Sequence, residues 1–554
     1  MEGAGYDFAR MVGLLRKSLP IRYNKVLRKI IEAKGSNEGM AATMTNHASD
    51  QDEQANRASA PTSAPAQAPI EPAEGGPKRP ERDDKVGRMG TASIPRLIVE
   101  FAIPSILGML VNGAYNVIDS VFLGQAMGEI GLATATVAMP IMTVFMAIAM
   151  LVGNGGNALA ALRMGEGNRE EAERSLGNTV CLAIVFAVVV AVVAHIPACI
   201  DALLGVSGAT PEDWEYARAF IQIISLGFVF QCIGMGVNNF IRTAGAPNRA
   251  LGTMVIGAVS CTVFNFLFVM VLGWGVQGSA LATVCGQALS CATVLWYFTL
   301  TKNVPMKLHL RFLRLHARTV RLILSLGLAS FAVQAGMAVV NFVLNNLLNM
   351  YGAESALGAE GALASIGVVQ RVAMFTVLPL IGVSIAIQPL LGFNYGAHLF
   401  GRVKKTLWCG SVGATGIAVV LWSLVHLFPD QIVGFFGITS DSLRDFTVFA
   451  LKVQLFMLPL VGFQIVGSNY FQATGQPLKS IFLSLTRQIL FLIPLLIVLP
   501  MLLPGWFPQF TSLDALYFAT PAADFLAIFT TAVFVVVEVG RLRKLERGEL
   551  KARF

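Results

Sequence analysis

The sequence predicts an all-α, polytopic membrane protein whose twelve transmembrane helices form two parallel six-helix repeats. Three observations predict it: a shortage of charge, a regular alternation of loop charge, and an internal repeat. Hydrophobic residues make up 55% of the 554 residues and charged residues 13%, whereas a soluble globular chain carries about 25% charged residues. Apolar runs of about 20 residues recur between Leu97 and Val537, and each is long enough to cross the hydrocarbon core as a helix.

Residues 1–90 are expected to form a disordered basic and polar leader. Residues 10–34 are basic and weakly amphipathic, and residues 41–84 are rich in Ala, Pro, Ser and Gln, a composition typical of disorder. The basic stretch suits an anionic membrane surface, but we interpret the leader as dispensable, with Met40 and Met44 as alternative starts. The sequence pattern of a cleavable signal peptide is absent from it.

Twelve apolar stretches are assigned as spans, six in an N-lobe (residues 91–300) and six in a C-lobe (residues 319–540). A cytoplasmic basic linker, 301–318, joins the lobes, and a basic tail, 541–554, follows. The predicted spans are 97–122, 131–153, 176–196, 215–238, 250–272, 279–300, 320–349, 361–391, 406–427, 446–470, 480–503 and 514–538.

Charge alternates between successive loops, which predicts the topology. Alternate connections hold acids and one basic residue, Arg444. The other connections hold the basic residues, and an excess of Lys and Arg marks the cytoplasmic side. Both termini are therefore expected inside the cell, and the span number is even. The basic connections contain Arg163, Arg169, Arg174, Arg242, Arg249, Lys302, Lys307, Arg311, Arg314, Arg318, Arg402, Lys404, Lys405 and Lys479.

The second half of the chain repeats the first. The segment NFIRTAGAP at 239–247 matches NYFQATGQP at 469–477, and His195 corresponds to His426. Six spans return a chain to its starting side, so the two repeats share one orientation. Their symmetry axis should run along the membrane normal, with a cavity between the two bundles. Parallel repeats of this kind occur in secondary transporters, which bind substrate at the repeat interface.

Several other classes of protein are disfavoured by the motifs that the sequence lacks. It contains no GxxxxGK[ST] phosphate loop, no HExxH and no GxSxG, so an ATP-driven pump or an enzyme is not expected. The seven cysteines lie mostly in apolar runs without a CxxC, which disfavours a disulfide framework or a metal site. The net charge of +8 is spread over loops, so no nucleic-acid partner is expected.

Of the charged residues that fall inside predicted spans, four stand out: Asp119, Arg371, Arg487 and Asp524. Each charge costs about 2.5–3.5 kcal/mol on insertion scales, so it needs a partner, a proton, water or a function. Arg371 and Asp524 lie at similar depths in the C-lobe, and we expect them to form an ion pair. The alternative is two separate groups in contact with cavity water. Arg487 lies nearer the cytoplasm and is expected to extend toward the interface.

Asp119 is the strongest functional candidate, because the N-lobe offers no basic residue at its depth. A carboxylate without a cationic partner can alternate between a proton and a bound cation. Spacings of three and four place neighbouring polar residues on one helix face, and spans 5 and 6 offer neutral oxygens at comparable depth. The alternative is an interfacial acid at a fraying helix end. The predicted cation site contains Asn112, Tyr115, Asn116, Asp119, Asn265 and Thr283.

Five motifs in order resemble the multidrug and toxic compound extrusion (MATE) family, over residues 93–546. They are NVIDSVFLG (116–124), FIRTAGAP (240–247), GWGVQGSALAT (273–283), QPLLGFNYGA (388–397) and ATGQP (473–477). The resemblance implies a V-shaped pair of lobes that exports drugs and other organic, often cationic, compounds. It also implies inward H⁺ or Na⁺ as the driving ion. We expect no other cofactor, and a monomer in the cell membrane.

The resemblance also bears on the residues that couple ion to drug. Asp119 matches the first-span aspartate that many members use for coupling. Asn265 stands where many relatives carry a second aspartate, and this departure leaves the choice between H⁺ and Na⁺ open.

The substrate cavity is expected to have an adaptable wall of methionine and aromatic side chains, although several of the candidates could face lipid instead. A lipid-linked precursor flippase of related architecture is the alternative function; it would require cavity cations, for which Arg371 and Arg487 are the candidates. The predicted wall residues are Met139, Met142, Phe145, Met146, Phe331, Met337, Met374 and Phe375.

Overall fold

A computed structural model describes residues 84–207, 211, 214–355, 357–438 and 440–550. Within these residues, eleven helices are long and apolar enough to cross a membrane, and the count reaches twelve when a bent helix pair is taken as one span. The predicted twelve-span, all-α architecture is confirmed. Most of the predicted leader, 1–83, and the end of the basic tail, 551–554, lie outside the described residues.

The spans extend beyond most of the predicted boundaries, because polar residues at their ends continue the helices. Within the described residues, three short α-helices, Asp84–Thr91, Pro197–Ser207 and Pro429–Phe435, and one 3₁₀ turn, Leu310–Phe312, lie outside the spans. Spans 1 to 12 are Ile94–Gln125, Thr134–Gly165, Arg169–His195, Trp214–Thr243, Pro247–Val271, Gly275–Thr299, Ala317–Ala353, Gly358–Gly396, Phe400–Leu427, Asp441–Gln454 with Leu458–Ala473, Pro477–Trp506 and Ser512–Glu546.

The repeated motif forms the same turn in both lobes. Gly245 and Gly475 adopt positive φ angles of 77° and 74°, a conformation that glycine adopts without steric strain. Pro247 and Pro477 then begin spans 5 and 11, where the missing N–H of proline would have no helical partner in any case. Both spans also contain a π-helical segment, Phe266–Val271 and Thr486–Leu492. The internal repeat in the sequence is therefore also present in the backbone.

The basic connections lie at one end of the bundle, which we call the basic end. The predicted linker packs on span 3 there: the buried Glu173 accepts hydrogen bonds from Lys307 N (3.1 Å) and Arg169 Nε (3.2 Å). We call the opposite end the acidic end. Besides Arg444 it contains a second basic residue, Arg218, whose Nη1 lies 3.9 Å from Asp201 Oδ1. One residue assigned to a basic connection, Arg242, instead lies inside span 4 and is buried.

Span 1 shares its packing between the lobes, which the predicted domain boundary did not anticipate. Leu97, Ile98 and Phe101 pack in one cluster with C-lobe residues such as Leu390 and Val403. The preceding helix is attached to the same lobe, because Met89 O accepts hydrogen bonds from Asn394 Nδ2 (3.1 Å) and Arg402 Nη2 (3.0 Å). The disorder prediction is thus wrong for residues 84–90.

Backbone-to-backbone contacts and polar bridges join the lobes toward the basic end. A Cβ atom on Gly327 of span 7 would overlap the Leu151 carbonyl of span 2, and one on Gly165 would overlap the Phe393 carbonyl of span 8. Small residues allow this close approach. Asn154 Nδ2 donates to Ser330 Oγ at 3.0 Å, and Asn157 Nδ2 donates to Gln388 Oε1 at 3.2 Å. The lobes are therefore closed against each other at this end.

The Gly327 contact predicts a stability difference. Gly327→Ala should lower the free energy of unfolding by about 1–3 kcal/mol, because the added methyl group collides with backbone that cannot move aside. Thermal unfolding of the purified protein in detergent measures the change. Gly416→Ala is the matched control, since no heavy atom lies within 4 Å of a Cβ atom there. Equal melting temperatures for the two variants would contradict the contact.

Candidate functional site

The Asp119 carboxylate joins three spans of the N-lobe. Asp119 Oδ1 accepts one hydrogen bond from Asn265 Nδ2 of span 5 and another from Ser279 Oγ of span 6, each at 2.9 Å. Among the described residues, no Lys, Arg or His lies within ion-pair distance of this carboxylate. The carboxylate is thus held by neutral donors from two different helices.

Asn265 lies at the junction between the regular part of span 5 and its π-helical segment. Its side chain is 1% exposed, and Nδ2 also donates to the Cys261 carbonyl at 3.2 Å. Within the described part of the chain, its Oδ1 is buried without a hydrogen-bond partner. π-Helical turns occur frequently at functional sites, and a buried amide oxygen beside a carboxylate could serve as a second ligand for a cation.

The other predicted site residues occupy different positions. Thr283 is buried, and its Oγ1 lies 3.8 Å from Cys261 Sγ, on the helix that carries Asn265. Asn112 and Tyr115 line a cavity in the N-lobe. The Asn116 side chain lies outside the described part of the structure. Sequence reasoning missed Ser279, although it stands four residues before Thr283, on the same helix face.

The cavity lies among spans 1, 2, 4, 5 and 6, and Ile385 of span 8 also lines it. Its wall is rich in methionine, as expected, but none of the eight predicted wall residues belongs to it. The lining comprises Met109, Asn112, Tyr115, Ala149, Met150, Asn154, Phe230, Gln231, Gly234, Met235, Gly236, Asn238, Asn239, Arg242, Met254, Gly257, Ala258, Cys261, Gly286, Gln287, Ser290 and Ile385.

The predicted wall residues lie elsewhere because residue type and depth do not determine which face of a helix points inward. Phe145 is a core residue that packs on Phe228 with ring centroids 5.0 Å apart, and Met142 packs against the same core. Met146 and Phe331 are half-buried. The remaining four side chains are exposed on the helices: Met139, Met337, Met374 and Phe375.

The expected ion pair between Arg371 and Asp524 is wrong. Arg487 Nε, not Arg371, contacts Asp524 Oδ1, at 2.6 Å, and Asp524 is 4% exposed. Arg371 is exposed on span 8. The short connection between spans 11 and 12 makes these helices antiparallel neighbours, so Arg487 reaches Asp524 directly rather than extending toward the interface. The C-lobe carboxylate therefore has a cationic partner, in contrast to Asp119.

This contrast predicts different effects of the same substitution. Asp524→Asn should lower the free energy of unfolding by about 3 kcal/mol, because it leaves the Arg487 guanidinium without its counter-charge. Asp119→Asn should change it by less than about 1 kcal/mol, since an amide oxygen can accept from the same two donors.

Thermal unfolding in detergent checks both values. The double variant Arg487→Gln/Asp524→Asn serves as the control and should recover part of the loss. A larger loss for Asp119→Asn than for Asp524→Asn would contradict the assignment.

Comparisons with known proteins agree with this architecture. The MatE family model matches residues 104–267 and 329–498. A multidrug export protein MepA of Staphylococcus haemolyticus is 24% identical over 422 residues, which cover 76% of this chain and 90% of the relative. The Staphylococcus aureus MepA is 22% identical over 399 residues, with 71% and 85% coverage.

Solved structures show the same fold. An outward-facing multidrug resistance MATE transporter of the MOP superfamily superposes with a TM-score of 0.75 at 22% identity, covering 84% of this chain and 100% of the other. The two family-model segments also fall one in each lobe and together span more than half of the chain. The chain therefore belongs to the MatE family, the multidrug and toxic compound extrusion transporters that its motifs resemble.

Proposed function

We propose that this protein is a secondary exporter that moves organic compounds out of the cell in exchange for an inward-moving H⁺ or Na⁺. One observation carries the proposal: the Asp119 carboxylate is held by neutral hydrogen-bond donors from spans 5 and 6. A structural carboxylate in a membrane span normally has a basic partner, as Asp524 has in Arg487. The multidrug export activity in the names of the MepA relatives supports the same function.

The coupling follows from what neutralisation does to the Asp119 hydrogen bonds. An ionised carboxylate is a strong acceptor, and hydrogen bonds to a charged group are about twice as strong as neutral ones. Protonation weakens both bonds, and a bound Na⁺ replaces them with ion contacts. Either event loosens span 1 from spans 5 and 6.

Asn112 and Tyr115 transmit this change to the substrate, because they stand on span 1 and line the cavity. Neutralisation of Asp119 therefore alters the cavity wall, and drug and cation exclude each other.

The loop charges and the contacts between the lobes together support an outward-facing state. By the positive-inside rule the basic end is cytoplasmic, and contacts between the lobes close that end. Both termini are then cytoplasmic, and the cation reaches Asp119 from outside. Of the two candidate cations of the flippase alternative, Arg487 is ion-paired with Asp524, and Arg371 is an exposed side chain of span 8 outside the lining of the N-lobe cavity.

Asp119→Asn should abolish export, because an amide can neither release a proton nor attract a cation as a carboxylate does. Efflux of a fluorescent dye from cells that express the protein measures this loss. Asp441→Asn, an exposed acid at the acidic end, is the matched control and should retain wild-type efflux. Unchanged efflux in Asp119→Asn would exclude this residue as the coupling site.

The identity of the ion requires a separate measurement on purified protein in proteoliposomes. A proton gradient without Na⁺ should drive dye transport if Asp119 alone carries the charge. A Na⁺ gradient without a proton gradient should drive it if the oxygens of Asn265 and its neighbours complete a metal site. Transport under neither gradient would contradict secondary antiport.

A further inference from the structure

Arg242 is a fully buried cation whose hydrogen-bond partners are neutral. It lies near the end of span 4 and is 1% exposed. Nε donates to Ser105 Oγ at 3.1 Å, and Nη1 donates to Asn238 Oδ1 at 2.8 Å and Asn239 Oδ1 at 2.7 Å. No acid within the described residues forms an ion pair with it. Because arginine stays protonated in proteins, its charge has no counter-charge in this part of the chain.

The remaining nitrogen of Arg242, Nη2, retains donor capacity. Nη2 carries two N–H groups, and it contacts Met254 Sδ at 3.5 Å. A thioether sulfur is only a weak acceptor. Arg242 and Met254 both line the N-lobe cavity. An oxygen acceptor placed there would form a charge-assisted hydrogen bond in a setting of low polarity.

The cavity wall around Arg242 suits an anion better than a cation. Arg242 is the charged member of the lining, which includes no Asp or Glu among the described residues. The wall also carries the side-chain amides of Gln231 and Gln287, whose buried Oε1 atoms lack partners in the described structure. These amides can turn to present N–H groups, and four methionines belong to the same wall. The cavity thus combines one positive charge with adaptable polar and apolar contacts.

The fold itself does not require a charge at this position. Gln472 corresponds to Arg242 in the second repeat, and its neutral Nε2 donates to Leu326 O at 2.8 Å and Ser330 Oγ at 3.0 Å. An uncharged amide therefore joins the helices of the C-lobe at the equivalent site. The positive charge of Arg242 is an addition to the shared architecture.

We propose that Arg242 binds an anionic group of the transported compound, so that the substrates include drug-sized organic anions and zwitterions. Nη2 donates to a carboxylate or sulfonate oxygen, while Met109, Met150, Met235 and Met254 contact the apolar body. The inference rests on the proposed export function and deepens it by naming a substrate class. A purely cationic compound would meet an uncompensated like charge in the same place.

A pair of dyes that differ in a single group tests this directly. A rhodamine with a free carboxylate and its methyl ester share one ring system and differ only in the anionic group. Binding of each dye to the purified full-length protein in neutral detergent is measured by fluorescence anisotropy, without an ion gradient. The wild-type protein should bind the carboxylate form about tenfold more tightly than the ester, the increment expected from a hydrogen bond between charged groups.

Variants of the protein then test whether Arg242 causes the preference for the carboxylate dye. Arg242→Gln, which introduces the side chain that Gln472 has in the second repeat, should remove the difference between the dyes, and Arg242→Lys should keep part of it. Arg371→Gln, an exposed arginine in span 8, is the matched control and should keep all of it. Equal or weaker binding of the carboxylate form to the wild-type protein would overturn the proposal, whether or not Arg242→Gln folds. A preference that persists in folded Arg242→Gln would overturn it as well.

The outcome is separable from the test of export. Asp119 is not part of the cavity lining, so Asp119→Asn should change the affinity for both dyes alike and retain the ratio between them even when transport is lost. If efflux depends on Asp119 but the wild-type protein shows no preference, only the substrate class is wrong. If the preference is present but Asp119→Asn exports normally, only the coupling site is wrong.

Discussion

The hydrogen bonds that Asn265 and Ser279 donate to Asp119 connect span 1 to the rest of the N-lobe. Their strength depends on the ionisation of a single carboxyl group. Because both donor side chains are buried, the loss of that charge has a larger effect on helix packing than it would at an aqueous surface. The same helix supplies Asn112 and Tyr115 to the cavity wall. In the proposed mechanism, ion occupancy and cavity shape are therefore linked through one structural element.

The two lobes share a backbone and differ in charge. Both contain the glycine–proline turn and the π-helical segment. In the N-lobe, however, Asp119 and Arg242 are charges held by neutral groups, whereas the C-lobe contains an ion pair, Arg487–Asp524, and the neutral Gln472. A duplicated fold can thus pair two opposite charges in one copy while the other copy holds its buried charges with neutral groups.

The span number, the repeat and the grouping of Asn265 with Asp119 could be predicted from the sequence, although Asn265 contacts the carboxylate through Nδ2 rather than through the expected oxygen. Apolar run length and loop charge determine the span number, because the bilayer forces every span into a helix. Helix rotation was beyond such reasoning: residue type placed Phe145 in the cavity, and the structure places it in the core. Arg242 was misassigned for a similar reason. The charge of Arg242 suggested that it lies in a loop. In the structure the repeated motif continues a helix in both lobes, so Arg242 and its counterpart Gln472 are both helical.

Span 1 also has a mechanical consequence, because its two ends belong to different lobes. Its beginning packs among C-lobe residues around Phe101, and Asp119 is bound to spans 5 and 6 of the N-lobe. Any rotation of one lobe relative to the other must therefore bend this helix or detach one of its ends. Pro104 lies between the two attachment points, and proline removes a backbone hydrogen bond at the place where a helix bends most readily. Span 1 can then act as a hinge that bends at Pro104.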